Sequence, residues 1–144
     1  MQKLKPVNIP EITNLARKYH DGQFRHDGTT PYISHPMAVA SIFSSDRLKA
    51  VALLHDVIED CNVSACDLLD KGIPQDIVDA VCLLTRIPGQ DYLSYILDIL
   101  RDDMARQVKI QDIKHNLPTA RNKDKKDKYN LALYILEHKD NNWS

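Results

Sequence analysis

An all-α fold is what this sequence predicts, and three observations carry it. Apolar residues recur at spacings of three and four along nearly the whole chain. No stretch keeps the strict alternation of a half-buried strand, and the polar residues between the periodic runs are those that start and stop helices. At 144 residues the chain suits one core without disulfides, so residues 1–144 are read as a single domain. A bundle of about seven helices joined by short links accounts for the length.

Asn8 is placed to cap a first helix running to about His20, with Pro10 in its first turn and Gly22 just past its end. The polar loop G-Q-F-R-H-D-G-T-T-P-Y-I-S-H-P follows, and its glycines and prolines leave no regular structure until Pro36 opens a second helix through about Phe43. Ser45 or Asp46 caps the third, on which Leu48, Val51, Ala52 and His55 share one face. Continued unbroken, that helix sets Glu59 and Asp60 one turn beyond His55 and Asp56. Ser64 with Asp67 forms a capping-box pattern for a short helix ending at Gly72; Pro74 starts the next, whose apolar face is Ile77, Val78, Val81 and Leu84. Residues 90–101 carry Leu93, Ile96, Leu97 and Leu100 at helical spacing, and about 103–117 repeat Met104, Val108, Asp112 and Asn116 every fourth position. The last helix, about 124–139, packs Leu131 and Ile135 behind a charged beginning. The run R-N-K-D-K-K-D-K, residues 121–128, has two readings, a lining for an anionic-substrate cleft or that solvated beginning; the second is the commoner for a charge run, and these residues stay outside the candidate site.

Composition excludes several classes. With 43% apolar and 27% charged residues and a net charge of -1, no broad attraction to nucleic acid or anionic membrane is expected, so any phosphate recognition is local. The longest apolar run is A-V-A-L-L, and M-Q-K-L-K-P-V-N-I-P has no apolar signal region, so neither a spanning helix nor a secretory leader is expected. Cys61, Cys66 and Cys82 form no C-x-x-C pair, which points to reduced thiols and a cytoplasmic location. Whether the chain forms a homo-oligomer is left open.

The chemistry concentrates at A-V-A-L-L-H-D-V-I-E-D, residues 50–60. His-Asp occurs three times. His20-Asp21 and His26-Asp27 sit beside glycines in the polar loop and read as turn chemistry with solvated imidazoles. His55-Asp56 interrupts an apolar helix, where a buried carboxylate needs a cation or a dense set of hydrogen bonds. His35, at the next helix start upstream, and Asp112, on an inward helical row, complete a mixed nitrogen and oxygen set suited to a first-row divalent ion such as Mn²⁺, Fe²⁺ or Zn²⁺. Spacing does not choose among the ions.

R-H-D-G-T-T-P-Y-I-S-H-P, A-L-L-H-D-V-I-E-D and K-I-Q-D-I-K-H-N-L-P-T, in this order, resemble the HD-domain hydrolases of the RelA/SpoT type, most of all the stand-alone small alarmone hydrolases of the metazoan SpoT homologue kind. The resemblance runs from about Arg17 to Arg121. It is specific, because P-Y-I-x-H-P followed by A-L-L-H-D-x-x-E-D is rare where a bare His-Asp is common. It implies an HD-domain helical bundle that removes the 3′-pyrophosphate from guanosine tetra- or pentaphosphate, the alarmones of the stringent response, through a Mn²⁺-activated water. By motif, His35, His55, Asp56 and Asp112 hold the metal, and Glu59 and Asp60 are the catalytic carboxylates. Arg25, Asn116 and Thr119 contact the nucleotide. Two departures bear on substrate: Gln111 replaces a small residue, and Pro118 replaces an arginine near the nucleoside side of the pocket. Another phosphorylated nucleotide is therefore the alternative substrate. A catalytically silent nucleotide-binding module is the third reading, and the presence of both Glu59 and Asp60 counts against it.

Overall fold

The caps do locally what the sequence predicts. In the computed structural model, which describes residues 5–140, the Asn8 side-chain oxygen accepts the Glu11 N–H at 3.1 Å and starts α1 (Ile9–Tyr19). The run Met1–Leu4, part of the stretch read as lacking a leader, lies outside the described residues. α2 (Ser34–Ser41) begins two residues before Pro36, which sits in its first turn, and it stops short of Phe43. α3 (Asp46–Leu54) is capped by Ser45, whose hydroxyl oxygen accepts the Leu48 N–H at 3.3 Å.

α3 is the axis of the fold. Ala50, Val51, Ala52, Leu53 and Leu54 are all buried, because α1, α2, α6 and α8 touch this helix around its circumference. That enclosure explains an apolar run without a polar face. Around the axis stand α5 (Ala65–Asp70), α6 (Gln75–Leu83), α7 (Tyr92–Ile99), α8 (Asp103–Asn116) and α9 (Lys123–Glu137). The short α4 (Val57–Asp60) follows α3, and a 3₁₀ turn (Leu117–Thr119) follows α8. Among the described residues these make nine α-helical segments rather than about seven, and the one strand-like pairing is an isolated bridge between Phe24 and Pro31.

The capping box of α5 closes both ways, Asp67 N–H to the Ser64 hydroxyl at 3.1 Å and Ser64 N–H to the Asp67 carboxylate at 2.9 Å. Gly72 ends that segment with φ +85°, the left-handed conformation that favours glycine. All four predicted apolar residues of α6, Ile77, Val78, Val81 and Leu84, are buried. No described helix is long and apolar enough to cross a membrane.

Three expectations need correction. The third helix does not run on to Asp60: it stops at Leu54, turns at His55 and Asp56, and restarts as α4. The His55 ring donates Nδ1–H to the Ala52 carbonyl at 2.5 Å, so side-chain and backbone donors of one residue converge on one acceptor. Leu93 and Leu131 were expected on packed faces and are 49% and 57% exposed. The buried stripe of α7 is Tyr95, Ile96 and Ile99, and that of α9 is Ala132, Ile135 and Leu136. At about 100° per residue each exposed leucine sits roughly a third of a turn from its stripe's centre. His20, expected to be solvated, is buried against Gln23, Cys61 and Tyr32.

Leu54→Ala should therefore lower stability by about 2–5 kcal/mol through lost burial and a residual cavity, whereas Leu131→Ala should stay within about 0.5 kcal/mol. Chemical denaturation measures both, and equal losses would contradict this assignment of the core.

Candidate functional site

The break after Leu54 is what assembles the site. Consecutive residues of an unbroken helix point about 100° apart; with the turn interposed, His55 and Asp56 face the same neighbours. His55 Nε2 lies 3.0 Å from Asp56 Oδ2 and 3.3 Å from Asp112 Oδ1. His35, carried by the first turn of α2, brings Nε2 to 2.7 Å from Asp112 Oδ1 and 4.0 Å from Asp56 Oδ2. One ligand atom from each of the four residues lies within 4.8 Å of every other. His35, His55 and Asp112 are buried, and the Asp56 side chain is 13% exposed.

Tautomers decide what this cluster can hold. Because His55 Nδ1–H is committed to the Ala52 carbonyl, a neutral His55 presents the Nε2 lone pair to two carboxylate oxygens. Lone pairs facing one another require a positive charge between them. Donor atoms bound to one ion at about 2.0–2.2 Å stand roughly 3–4 Å apart, and the spacing here is of that order. Two imidazoles and two carboxylates thus fit a divalent cation. Considered by themselves, the side chains show the same demand. Burial opposes charge on His55, yet the Asp56 carboxylate and the bond to Asp112 hold its pKa well above the ordinary imidazole value. Burial also opposes charge on Asp112, but Lys109 and the two histidines keep its carboxyl well below the usual range.

A surrounding set of groups orients these four, and sequence reasoning missed it. Lys109 Nζ donates to Asp112 Oδ2 at 2.8 Å, and the Asn116 amide donates to Asp112 Oδ1 at 3.2 Å. The Tyr32 hydroxyl donates to Asp56 Oδ2 at 2.5 Å. His35 Nδ1 meets His115 Nδ1 at 2.7 Å. Burial, then the charges of His35 and Arg25, lower the pKa of His115, which favours it as the acceptor of that pair. The signal was positional: Lys109 and His115 lie three residues either side of Asp112, and Tyr32 three before His35.

Glu59 and Asp60, from α4, lie within electrostatic reach of Asp56. Asp60 keeps the helical relation to Asp56 through a 2.9 Å backbone bond, while Glu59 turns its carboxylate to the Arg86 N–H at 3.2 Å. Burial raises the pKa of both, with the Asp56 charge adding to it and the Arg86 bond drawing Glu59 the other way.

The three expected nucleotide contacts share one cavity of about 220 Å³. Arg25 donates to the Asn116 side-chain oxygen at 2.9 Å, which ties the loop to α8. Thr119, in the 3₁₀ turn, lies on the same lining, with its hydroxyl donating to the Asn116 carbonyl at 3.3 Å. Arg121, Lys125 and Tyr129 line it as well. The charge run 121–128 is therefore not merely a solvated helix start. Two of its cations face a polar cavity, which a run read for composition alone does not reveal.

The loop that carries Arg25 is held by Asp27, whose carboxylate accepts the N–H groups of Thr29 and Thr30 at 2.9 Å each and the Thr30 hydroxyl at 2.5 Å. Here the expected turn chemistry is present.

Comparison with known proteins places this geometry. A family model described as "HD domain" matches residues 13–125. A guanosine-3′,5′-bis(diphosphate) 3′-pyrophosphohydrolase of Haemophilus influenzae is 38% identical over 119 residues, 73% of this chain and 17% of its own length. One of Vibrio cholerae is 36% identical over 140 residues, 85% of this chain and 19% of its own. The bifunctional (p)ppGpp synthase/hydrolase SpoT of Escherichia coli is 33% identical over 120 residues, 73% of this chain and 17% of its own. The chain thus spans less than a fifth of the length of these curated relatives. A solved structure described as "A metazoan ortholog of SpoT hydrolyzes ppGpp and plays a role in starvation responses" aligns with a TM-score of 0.73 at 20% identity, covering 94% of this chain and 86% of that one. The likeness shows that the helical fold is shared.

The bonds to Asp27 make a pH prediction. Hydrogen bonds from Thr30 and Thr29 hold its carboxyl well below the ordinary value. A depressed pKa contributes order that is complete above the unfolded value and lost as pH falls through the folded one. The Asp27 carboxyl carbon, followed by NMR, should titrate well below the usual aspartate value of about 3.9, with the Thr29 and Thr30 amide shifts moving alongside it. An ordinary midpoint would mean that the loop is not held this way.

Proposed function

The chain belongs to the HD domain family, and on that premise we propose that it is a metal-dependent phosphohydrolase that removes the 3′-pyrophosphate from guanosine tetra- and pentaphosphate. The observation that carries the reading is the convergence of His35, His55, Asp56 and Asp112 within 4.8 Å, with Glu59 and Asp60 within electrostatic reach of Asp56. The activities of the relatives named above support the substrate. The same reading takes residues 1–144 as one catalytic domain acting in the cytoplasm on a phosphorylated nucleotide, without nucleic acid or membrane as partner.

In this proposal His35 and His55 supply Nε2, and Asp56 and Asp112 one carboxylate oxygen each, to a divalent ion, Mn²⁺ before Fe²⁺ or Zn²⁺. When bound, such an ion lowers the pKa of a water molecule and offsets charge on phosphoryl oxygens. The protein's own groups do the rest. Glu59 and Asp60, with carboxyls raised by burial, accept and return the proton of the attacking water. The water oxygen bonds to the phosphorus as the bond from that phosphorus to the ribose 3′ oxygen breaks; the 3′ oxygen takes up the proton, and pyrophosphate leaves. Tyr32, Lys109 and His115 fix the carboxylates and the His35 ring so that no reorganisation is needed during the reaction. Arg25, Asn116 and Thr119 hold the nucleotide in the polar cavity, where a guanidinium suits phosphate oxygens.

A second reading, a different phosphorylated nucleotide, is favoured by one feature. Pro118 occupies the 3₁₀ turn beside that cavity, where the resemblance leads one to expect an arginine. A nucleotide panel assayed with Mn²⁺, scored for pyrophosphate against phosphate, separates the two. Release of pyrophosphate from the guanosine alarmones is expected; turnover confined to other nucleotides would replace the substrate, and no turnover of any would remove the enzyme reading. Asp56→Asn should lose both bound metal and activity. Glu59→Gln should keep the metal content of the wild type and lose activity by about a hundredfold or more, and an unchanged rate would take Glu59 out of the chemistry.

A further inference from the structure

The mechanism leaves a group of cations unused. Arg86, in the link between α6 and α7, places its guanidinium carbon 5.8 Å from the Tyr92 ring centroid, and Lys128 of α9 places Nζ 4.2 Å from the same centroid. Neither forms an ion pair with a carboxylate among the described residues. The Arg86 guanidinium is held instead by its Nε–H bond to the Gln90 carbonyl at 2.9 Å. Lys109 stands close by, over the Tyr95 ring at 5.2 Å. The charges of Arg86, Lys125 and Lys109 add to burial in lowering the pKa of Lys128, so these four cations lie within electrostatic reach of one another. Converging like charges oppose folding unless an anion offsets them.

A second observation has a different origin. The Tyr92 hydroxyl is shut off from solvent and has no hydrogen-bond partner. Burial raises its pKa to about 12, and the neighbouring charges that act on it include Lys109 and Arg86. Buried hydroxyls without a partner are uncommon in native proteins, and this one lies beside unpaired cations. The cleft along Arg86 also includes Glu59, whose carboxylate accepts the Arg86 N–H.

We infer that Arg86 and Lys128, gathered on the Tyr92 ring next to Glu59, form a second anion subsite that takes a phosphate or diphosphate group of the substrate. This subsite differs from the cavity of Arg25, Asn116 and Thr119, which neither Arg86 nor Lys128 lines. Lys125 joins the two, lining that cavity while its charge reaches Lys128. Two cationic subsites, one tied to Asp112 through Asn116 and the other to Glu59 through the Arg86 N–H, suit a nucleotide phosphorylated at two separated positions better than one with a single phosphate chain. The inference rests on the proposed phosphohydrolase reading and narrows its substrate class.

The test is calorimetric titration of inorganic pyrophosphate into the full chain with Mn²⁺ present. Relative to wild type, Arg86→Gln combined with Lys128→Gln should weaken binding by about tenfold or more, the equivalent of one charge-assisted hydrogen bond. Lys126→Gln removes the same charge from a position of α9 that, unlike Arg86 and Lys128, is not stacked on the Tyr92 ring, and it should leave affinity within about twofold, since a screened charge away from the bound anion contributes little. Arg86→Lys with Lys128→Arg, which keeps both charges, should restore most of the binding. Thermal melting shows whether each variant is folded, and the charge-retaining pair keeps the test decisive if the double glutamine variant is not. Equal affinity in the double glutamine variant, an equal loss with Lys126→Gln, or no pyrophosphate binding by the wild type would overturn the subsite. Failure to cleave alarmones, with this dependence intact, would instead overturn the assigned substrate and leave the subsite standing.

Discussion

Two imidazoles and two carboxylates cannot be closed into a protein interior unless every lone pair and proton among them is allotted, and that constraint organises the centre of this molecule. The Ala52 carbonyl takes the Nδ1–H of His55, the His115 ring faces Nδ1 of His35, Lys109 occupies the outward oxygen of Asp112, and the Tyr32 hydroxyl donates to the Asp56 oxygen that faces the histidines. What remains is a set of electron pairs pointed inward at one another. A positive charge is the one thing that reconciles them, and a divalent ion supplies it with the right number of donors. The break between α3 and α4 serves the same end, because an unbroken helix would turn His55 and Asp56 apart. The surrounding helices hold that break rigid by burying Leu53, Leu54 and Val57 on both sides of it.

Around this centre, charge is arranged locally although the chain is nearly neutral overall. Carboxylates gather on α4 and at Asp112; cations gather on α9, on the loop at Arg25 and at Arg86. A net charge of -1 therefore says little about ligands, since fields within a cleft depend on the few groups that face it. In the proposed reading, substrate anions would meet cations on approach, and the phosphorus to be attacked would lie against the acidic centre that would hold the metal. The cavity at Arg25 and the cleft at Arg86 would, in that reading, share the task.

Much of this was legible in the sequence, for reasons that can be traced. Asn8, Ser45, the Ser64–Asp67 box and Gly72 act through local hydrogen bonds or backbone conformation, so reading them needs no tertiary knowledge. The four candidate ligands were legible because burying charge on an apolar helix is costly enough to demand a reason. The break at His55 was not, since nothing in A-V-A-L-L-H-D-V-I-E-D interrupts helical periodicity and the cause is a ring bonding back to Ala52. Leu93 and Leu131 were misassigned because spacing fixes a face only to within a fraction of a turn, and packing against neighbours selects the stripe. Lys125 and Arg121 could be weighed only as members of a charge run, cleft lining or solvated helix start, because such a run shows nothing of which members turn toward a cavity.

The central claim is the cage itself, and locating the ion tests it most directly. Crystals grown with Mn²⁺ and measured at the manganese absorption edge should show one anomalous peak bonded to Nε2 of His35 and His55 and to a carboxylate oxygen of each of Asp56 and Asp112, at about 2.0–2.3 Å. A peak elsewhere, or one lacking either the His35 or the Asp112 bond, would contradict the account.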